Sequence, residues 1–287
     1  MSDQPIQPPR PQRPPRADTP EVLGLKELKT AQPDLASAID LQIALLDIQR
    51  RLQGRVPLPW ISADDAWLQT QEKGGRALVR FGDIPLEWSD FRLSFRQNAD
   101  VLLRFDALEA ADHQAIVALA REGNALEPVV EQWYNATSGT GQARPEGLPA
   151  SLDHVLVLAL RPFLAKCAEV LRQRTPLTAP HSTCPFCGWE PDFAVITPSA
   201  ERHLICGRCW AQWPFASLTC PFCQNDDRAR ITSFATRDGR YRVYGCDVCH
   251  RYLKAYDGRT APRTVMVAVD TIATLPLDAA AMQRGYS

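Results

Sequence analysis

Residues 184–249 read CPFCGWEPDFAVITPSAERHLICGRCWAQWPFASLTCPFCQNDDRARITSFATRDGRYRVYGCDVC. This stretch contains four CxxC pairs, which are Cys184/Cys187, Cys206/Cys209, Cys220/Cys223 and Cys246/Cys249. Eighteen residues separate the first pair from the second and twenty-two separate the third from the fourth, close to the spacing of metal-binding ribbons. A CxxC turn directs two thiolates at one ion, and backbone N–H groups of the tight turn stabilise their negative charge. The sequence therefore predicts two sites of four cysteines each.

The residues between the cysteine pairs predict the same β unit twice. FAVITPSAERHLIC (193–206) and ITSFATRDGRYRVYGC (231–246) each read as strand, turn, strand, and the second contains an Asp238-Gly239 hairpin signal. CGRCWAQWPFA then matches CDVCHRYLKAY, so an aromatic third strand should follow each site. Ribbons this small cannot fold by packing alone, so bound metal should supply most of their folding free energy, ~10 kcal/mol or more per site.

Four thiolates suit either iron or zinc, because both ions accept tetrahedral sulfur coordination. His181, His203 and His250 lie near the pairs, but each site already has four sulfurs, so we expect these rings to pack or to face solvent. Dithiol redox chemistry is the alternative for CxxC pairs. Four matched pairs are more typical of metal ligands than of one reactive thiol with its resolving partner.

In the N-terminal half, the sequence predicts a proline-rich tail followed by helices. Residues 1–20 hold seven prolines, a composition that favours extended polyproline II and a disordered tail. Apolar residues at helical spacing predict a helix from Pro33 to Leu52. Further helical stretches are predicted near 86–108 and near 112–134, where Asp112 is a candidate N-cap.

A last long helix is predicted after Ser151, and Pro162 should kink or split it. Cys167, the ninth cysteine of the chain, is interpreted as a small buried apolar residue of this helix. The proline- and threonine-rich segment RTPLTAPHST (174–183) marks the end of the helical part.

Together these patterns predict an α+β fold, in which a helical N-terminal domain precedes two tandem zinc-ribbon-like β modules. The predicted boundaries are a tail at 1–20, a helical domain at 21–176, a first ribbon at 177–215, and a second ribbon with a C-terminal tail at 216–287.

The composition of the chain argues against a membrane protein and against a secreted one. The 287 residues are 45% hydrophobic and 23% charged, which is typical of soluble globular proteins. No stretch approaches ~20 uninterrupted apolar residues, so no membrane insertion is expected. The polar, proline-rich N-terminus lacks the apolar region of a secretory signal, and the chain is predicted to be cytoplasmic. In a reducing cytosol paired cysteines are more often metal ligands or redox centres than structural disulfides.

Charge and motifs argue against nucleic-acid binding and catalysis. Residues 181–287 hold twelve Lys and Arg against ten Asp and Glu, and eight thiolates with two divalent ions would make this part slightly negative. A phosphate-binding domain needs a clustered positive excess. No glycine-rich phosphate loop, HExxH or GxSxG is present, so no enzyme is predicted. Asp64 and Asp65 are interpreted as a helix cap rather than an acid/base dyad.

Four segments together resemble the FdhE family of formate dehydrogenase accessory proteins, over roughly residues 175–287. They are CPFCGWEPDFAVI, LICGRCWAQWPFASLTCPFCQN, YGCDVCHRYLKAYD and VDTIATLPLDAAAMQRGY. The resemblance implies a helical domain followed by two rubredoxin-like modules, each binding one iron, with zinc as the alternative. It assigns the ligands to two sets, Cys184, Cys187, Cys206 and Cys209, and Cys220, Cys223, Cys246 and Cys249.

The resemblance also implies a role. Such a protein would be a non-enzymatic maturation chaperone that contacts the catalytic subunit of a respiratory formate dehydrogenase in the cytoplasm. A nucleic-acid-binding zinc ribbon, suggested by the arginines of the second hairpin, and a small electron carrier are the alternatives. Trp210, Gln224 and His250 stand where a rubredoxin-like knuckle often has glycine, so those knuckles are expected to differ in shape or in how they tune the site.

Overall fold

The computed structural model describes residues 17–61, 63–139, 143, 145–259 and 263–287. In these residues the helices come first and a β-sheet follows. The helices before the sheet are α1 (Pro20–Ala31), α2 (Ala36–Gln53), α3 (Asp65–Lys73), α4 (Trp88–Arg104), α5 (Ala110–Arg121), α6 (Leu126–Thr137) and α7 (Leu152–Arg174). No helix within these ranges has both the length and the apolar character needed to cross a bilayer.

The first helix begins where the proline-rich tail was predicted to end. Thr19 is its N-cap and accepts a hydrogen bond from the Val22 N–H at 3.4 Å, and Pro20 occupies the first turn, where its missing N–H costs nothing. Residues 1–16, which make up most of the predicted tail, lie outside the described residues.

Apolar spacing placed α2 and α4 correctly, and each buries one face, with Ile39 and Ile48 on α2 and Phe91 and Phe95 on α4. The stretch 112–134 instead forms two helices, α5 and α6, with Gly123 in the break between them.

Asp112 is not the N-cap of α5, because this helix begins at Ala110. Its carboxylate accepts a hydrogen bond from the Ser151 hydroxyl at 2.6 Å instead. The N-cap prediction at Asp112 was therefore wrong.

The long helix α7 is continuous across Pro162, so the prediction of a split was wrong. Proline within a helix costs about 3 kcal/mol, and the buried side chains on both sides of it, such as Leu156 and Phe163, offset that cost through packing. Cys167 is fully buried, as predicted. Burial raises the pKa of its thiol to about 12, assisted by the charge of Asp83.

Six strands form one sheet, with the order β3-β2-β1-β6-β5-β4. Their bounds are β1 (Pro191–Ile196), β2 (Arg202–Cys206), β3 (Gln212–Phe215), β4 (Ile231–Ala235), β5 (Tyr241–Cys246) and β6 (Tyr252–Asp257). Both predicted hairpins and both third strands are confirmed, and Gly239 has the positive φ of 70° that its turn requires. The two ribbons join through a parallel β1–β6 pair, from Phe193–Lys254 to Ile196–Asp257.

The C-terminal segment, predicted as a tail, forms helices α8 (Val267–Ala273) and α9 (Leu275–Met282). Asp270 of α8 is fully buried and accepts hydrogen bonds from Tyr241 Oη at 2.7 Å and Arg263 Nη2 at 2.6 Å. Val269 packs against Leu25 of α1. The chain therefore returns to its N-terminal helices after the second ribbon.

The helices and the first ribbon share one hydrophobic core. Its largest cluster joins residues of α4, α6 and α7 to Trp213 and to the cysteines Cys184, Cys187, Cys206 and Cys209. The first cysteine set is therefore part of the protein interior and not a surface attachment.

Glu72 of α3 anchors the connection that leads from α7 to the first cysteine. The side chain is 1% exposed, and it accepts hydrogen bonds from the N–H of Thr178 and Ala179, from the Thr178 hydroxyl and from His181 Nε2. Burial alone raises the pKa of Glu72, but these hydrogen bonds outweigh it and hold the pKa below the ordinary value of 4.5.

Replacing Glu72 with glutamine is expected to cost about 1–3 kcal/mol at pH 7, because an amide cannot accept all of these hydrogen bonds. A carboxylate whose folded pKa is depressed stabilises the fold above its unfolded pKa, and this stabilisation is lost as pH falls through the folded pKa. The difference between wild type and Glu72→Gln should therefore be constant from pH 7 to 5 and shrink below about pH 4.5. Urea unfolding measured across this range is the test.

The matched control is Glu169→Gln, since Glu169 is 58% exposed and contacts only Lys166 among the described residues. Its effect should stay within about 0.5 kcal/mol at each pH. Equal pH profiles for the two variants would contradict the role given to Glu72.

Candidate metal centres

All four CxxC knuckles have the same backbone shape. In each, the first cysteine carbonyl accepts a hydrogen bond from the N–H four residues on, at 2.8–3.1 Å, and that residue has positive φ. The residues and angles are Gly188 (74°), Trp210 (60°), Gln224 (61°) and His250 (56°). The expectation of a different shape at the non-glycine positions was therefore wrong, because these residues adopt the left-handed conformation despite its cost, while the expectation of different tuning stays a prediction.

Gln224→Gly is expected to stabilise the metal-loaded protein by about 0.5–1 kcal/mol, because glycine occupies positive φ without strain. Urea unfolding with metal bound measures the gain. Gln224→Ala is the matched control, since alanine shortens the side chain but keeps the Cβ that causes the strain. An equal gain from both variants would show that the backbone angle is not responsible.

The sulfurs of each cysteine set converge. In the first cluster (Cys184, Cys187, Cys206 and Cys209) they lie 3.5–3.7 Å apart for three pairs. In the second cluster (Cys220, Cys223, Cys246 and Cys249) two pairs lie 3.6 and 3.7 Å apart. All four sulfurs of each cluster are within 4.8 Å of one another.

These distances fit a metal ion. Tetrahedral bonds of ~2.3 Å from an ion place the sulfurs about 3.8 Å apart, whereas a cystine bond is about 2.05 Å long. All eight cysteines are free thiols in the structure. Neither cluster includes a histidine among the described residues, and His181 instead contacts Glu72. The converging sulfurs thus form the same two groups of four cysteines that the sequence predicts.

The helical part covers the first cluster closely. Each of its four cysteines is at most 2% exposed. The N–H groups of Leu78 and Val79 donate to the carbonyls of Pro185 and Phe186 at 3.0 and 2.9 Å. A Cβ at Gly188 would lie 2.7 Å from the Ser138 carbonyl oxygen, so only glycine allows this approach.

One buried arginine, Arg208, lies within the knuckle of Cys206 and Cys209, and a second, Arg161, contacts that knuckle. Arg208 is fully buried and lies over the rings of three aromatic residues, with 4.2–5.1 Å between Cζ and the ring centroids, at Trp133, Tyr134 and Trp189. It also donates to Thr137 Oγ1 at 2.8 Å.

Arg161 of α7 donates to the carbonyls of Gly207 and Arg208 at 2.8 and 3.1 Å and stacks over Trp210. Burial lowers the pKa of Arg161, while the charges of Asp192, Cys206 and Cys209 oppose that shift. The charge of Arg161 is therefore shared between the Asp192 carboxylate and the thiols of Cys206 and Cys209. Four thiolates around a divalent ion would carry a net charge of −2, which Arg208 and Arg161 would offset in part.

Burial and neighbouring thiols also set the proton affinities of the first cluster. Burial raises the pKa of Cys184, and hydrogen bonds with Cys187 and Cys206 raise it further. Burial acts in the same direction on Cys187, but hydrogen bonds from the other three thiols and the charge of Arg208 outweigh it and lower the pKa of Cys187. Metal binding at this cluster must therefore displace protons, and it should be favoured by rising pH.

The second cluster is more open. Cys220 and Cys246 are buried, Cys249 is partly exposed and Cys223 is exposed. Two arginines lie on its inner side and have other partners. Arg202 donates to the Thr219 carbonyl at 2.8 Å, and Arg251 pairs with Glu190 at 2.7 Å. The sequence repeat did not predict this difference in exposure. A signal was present in the residue before the last cysteine, which is Arg208 in one ribbon and Val248 in the other.

Comparison with known proteins gives three results. No family model matches the chain. A protein named as an FdhE homolog from Pectobacterium carotovorum subsp. carotovorum (strain PC1) is 28% identical over 134 residues, which are 45% of this chain and 43% of the relative. Another, from Serratia proteamaculans (strain 568), is 30% identical over 107 residues, 36% of this chain and 34% of the relative. The chain thus matches less than half the length of these curated relatives.

The structural match extends further. The crystal structure of the FdhE protein from Pseudomonas aeruginosa superposes with a TM-score of 0.63 at 22% identity, covering 93% of this chain and 91% of that one. The helical part and the sheet with its two four-cysteine clusters both fall within such coverage. The resemblance predicted from the four quoted segments is therefore confirmed: this chain is similar to FdhE proteins in sequence and has the fold of an FdhE protein.

Proposed function

We propose that the chain is a non-enzymatic accessory protein in the assembly of a respiratory formate dehydrogenase, and that it contacts the catalytic subunit of that enzyme in the cytoplasm. The observation that carries this proposal is the pair of convergent four-sulfur clusters within the fold of an FdhE protein. The similarity to curated FdhE homologs supports it.

Each cluster is proposed to bind one iron ion, with zinc as the alternative. The ligands would be Cys184, Cys187, Cys206 and Cys209 in the first cluster, and Cys220, Cys223, Cys246 and Cys249 in the second. Both ions accept four thiolates in a tetrahedron, so the sulfur distances suit either one. Elemental analysis of anaerobically purified protein should find two metal ions per chain. An absorption spectrum then separates the metals, because ferric tetrathiolate is red and zinc is colourless.

A binding experiment tests the proposed partner. Immobilised metal-loaded protein should retain purified catalytic subunit, and replacing Cys220 and Cys223 by serine should abolish retention. Failure of the wild-type protein to bind would refute the proposed partner. Retention by the serine variant would refute a role for the second cluster in the contact.

A second candidate, a small electron carrier, is favoured by the exposure of Cys223, since an exposed ligand brings an iron centre near a redox partner. Voltammetry of the iron-loaded protein tests it, and the absence of a reversible wave would remove this candidate.

The alternative of nucleic-acid binding receives no comparable support. Arg242 and Arg259 both pair with Asp257 at 2.7 Å, and Arg240 lies 3.6 Å from Asp238. Two arginines of the second hairpin, Arg240 and Arg242, are therefore paired with carboxylates within the fold.

A further inference from the structure

The two ribbons are repeats, yet their knuckles have different surroundings. We define the first knuckle face as residues 185–189 and 207–210, and the second knuckle face as 221–225 and 247–250. On the first face Cys187 is 1% exposed and Arg208 is fully buried. At the matching positions of the second face Cys223 is exposed and Val248 is 51% exposed.

Three kinds of contact cover the first knuckle face. Backbone N–H groups of the extended segment 78–79 donate to the carbonyls of residues 185 and 186. The guanidinium of Arg161 donates to the two carbonyls between Cys206 and Cys209. Aromatic rings of the helical part receive the side chain of Arg208. This covered face shows what a complementary surface for a knuckle face looks like.

The second knuckle face is complementary to a surface similar to the one that covers the first knuckle face. Its backbone has the same shape, so the carbonyls of residues 221 and 222 correspond to the two that accept hydrogen bonds in the first ribbon. Val248 replaces Arg208, so the partner must offer an apolar contact there, and the face itself supplies no cation at that position.

The charges near the second knuckle face favour a basic partner. A divalent ion with four thiolates would carry a net charge of −2. Of the two arginines on the inner side of the second cluster, Arg251 pairs with Glu190, whereas Arg202 donates to the neutral Thr219 carbonyl, so one unpaired cation stands against two negative charges. The exposed Asp226 and Asp227 follow the first knuckle of this face. Arg228 and Arg230 are the opposing cations nearby in sequence, and Arg230 already donates to the Asp247 carbonyl at 3.2 Å.

We propose that the second knuckle face is a docking surface for an extended, basic segment of a second protein. The segment supplies N–H donors to the carbonyls of residues 221 and 222, an arginine or lysine to the Val248 carbonyl, and an apolar contact to the Val248 side chain, since Arg230 already occupies the Asp247 carbonyl. This inference rests on the proposed function, which identifies that second protein as the formate dehydrogenase catalytic subunit.

The test uses Val248→Asp in the full, metal-loaded chain, with purified catalytic subunit as the probe. An added carboxylate at the centre of the face should weaken binding at least about tenfold. Leu58→Asp is the matched control, because Leu58 is 75% exposed but lies in the helical part, and it should change the affinity less than about twofold. Both variants must retain two metal ions per chain.

A second variant avoids the neighbourhood of Cys249. The double change Asp226→Asn and Asp227→Asn should weaken binding about two- to fivefold and reduce the dependence of the affinity on salt. If the wild-type protein binds the catalytic subunit and both Val248→Asp and the double variant bind it with the same affinity, the docking surface is refuted. The proposed function would then remain in place. No binding by the wild-type protein would overturn both.

Discussion

Cys187→Ser is expected to unfold the first ribbon and to destabilise the helices, whereas Cys223→Ser should remove metal from the second cluster only. The two residues are the second cysteines of matching CPFC knuckles. A structural metal contributes about 10 kcal/mol or more to the fold of such a site. Cys187 also belongs to the core that the first ribbon shares with α4, α6 and α7, so the loss of that metal extends beyond the ribbon.

Metal content and urea unfolding distinguish the two variants. Cys187→Ser should lose cooperative unfolding and accumulate in the insoluble fraction, because its cluster is buried and shared with the helical core. Cys223→Ser should retain one metal ion per chain and a helical circular dichroism spectrum close to that of wild type. Equal losses of metal and of cooperative unfolding in the two variants would contradict the conclusion that the first cluster stabilises the fold more than the second.

Arg208→Leu is expected to cost about 3–5 kcal/mol, the second largest effect of the substitutions considered. The change removes a buried cation from three aromatic rings and from Thr137 Oγ1. It also leaves the negative charge of a loaded first cluster with one fewer compensating cation, and breaking such a buried pairing is costly. Urea unfolding of the metal-loaded protein measures the effect.

Two controls support the interpretation. Arg228→Leu removes an exposed arginine from the second ribbon and should change the free energy of unfolding by less than about 0.5 kcal/mol. Arg208→Lys keeps the charge but not the planar fork, so its cost should be intermediate. A small effect of Arg208→Leu on the free energy of unfolding would show that the buried cation does not stabilise the fold.

Local patterns made much of the fold predictable. CxxC spacing identified both cysteine sets, because each knuckle is formed by a few neighbouring residues. Alternating hydrophobicity and the Asp238-Gly239 turn identified the hairpins. The apolar periodicity of α2 was equally informative, since one helix face packs against the core.

Features that depend on distant parts of the chain could not be predicted in the same way. The continuity of α7 through Pro162 depends on side chains packed against it from elsewhere. The left-handed backbone at Trp210 and His250 is imposed by the knuckle, against the preference of these residues. The burial of one cluster and the exposure of the other depend on which knuckle face meets α6 and α7.

The parallel β1–β6 pair also has a consequence for biosynthesis. A ribosome delivers β1 long before β6, so the outer edge of the nascent first ribbon has unpaired backbone groups until the second ribbon has been synthesised. Unpaired strand edges recruit other chains. Slow translation or truncation between residues 216 and 251 should therefore promote aggregation, even when the first four cysteines have already captured their ion.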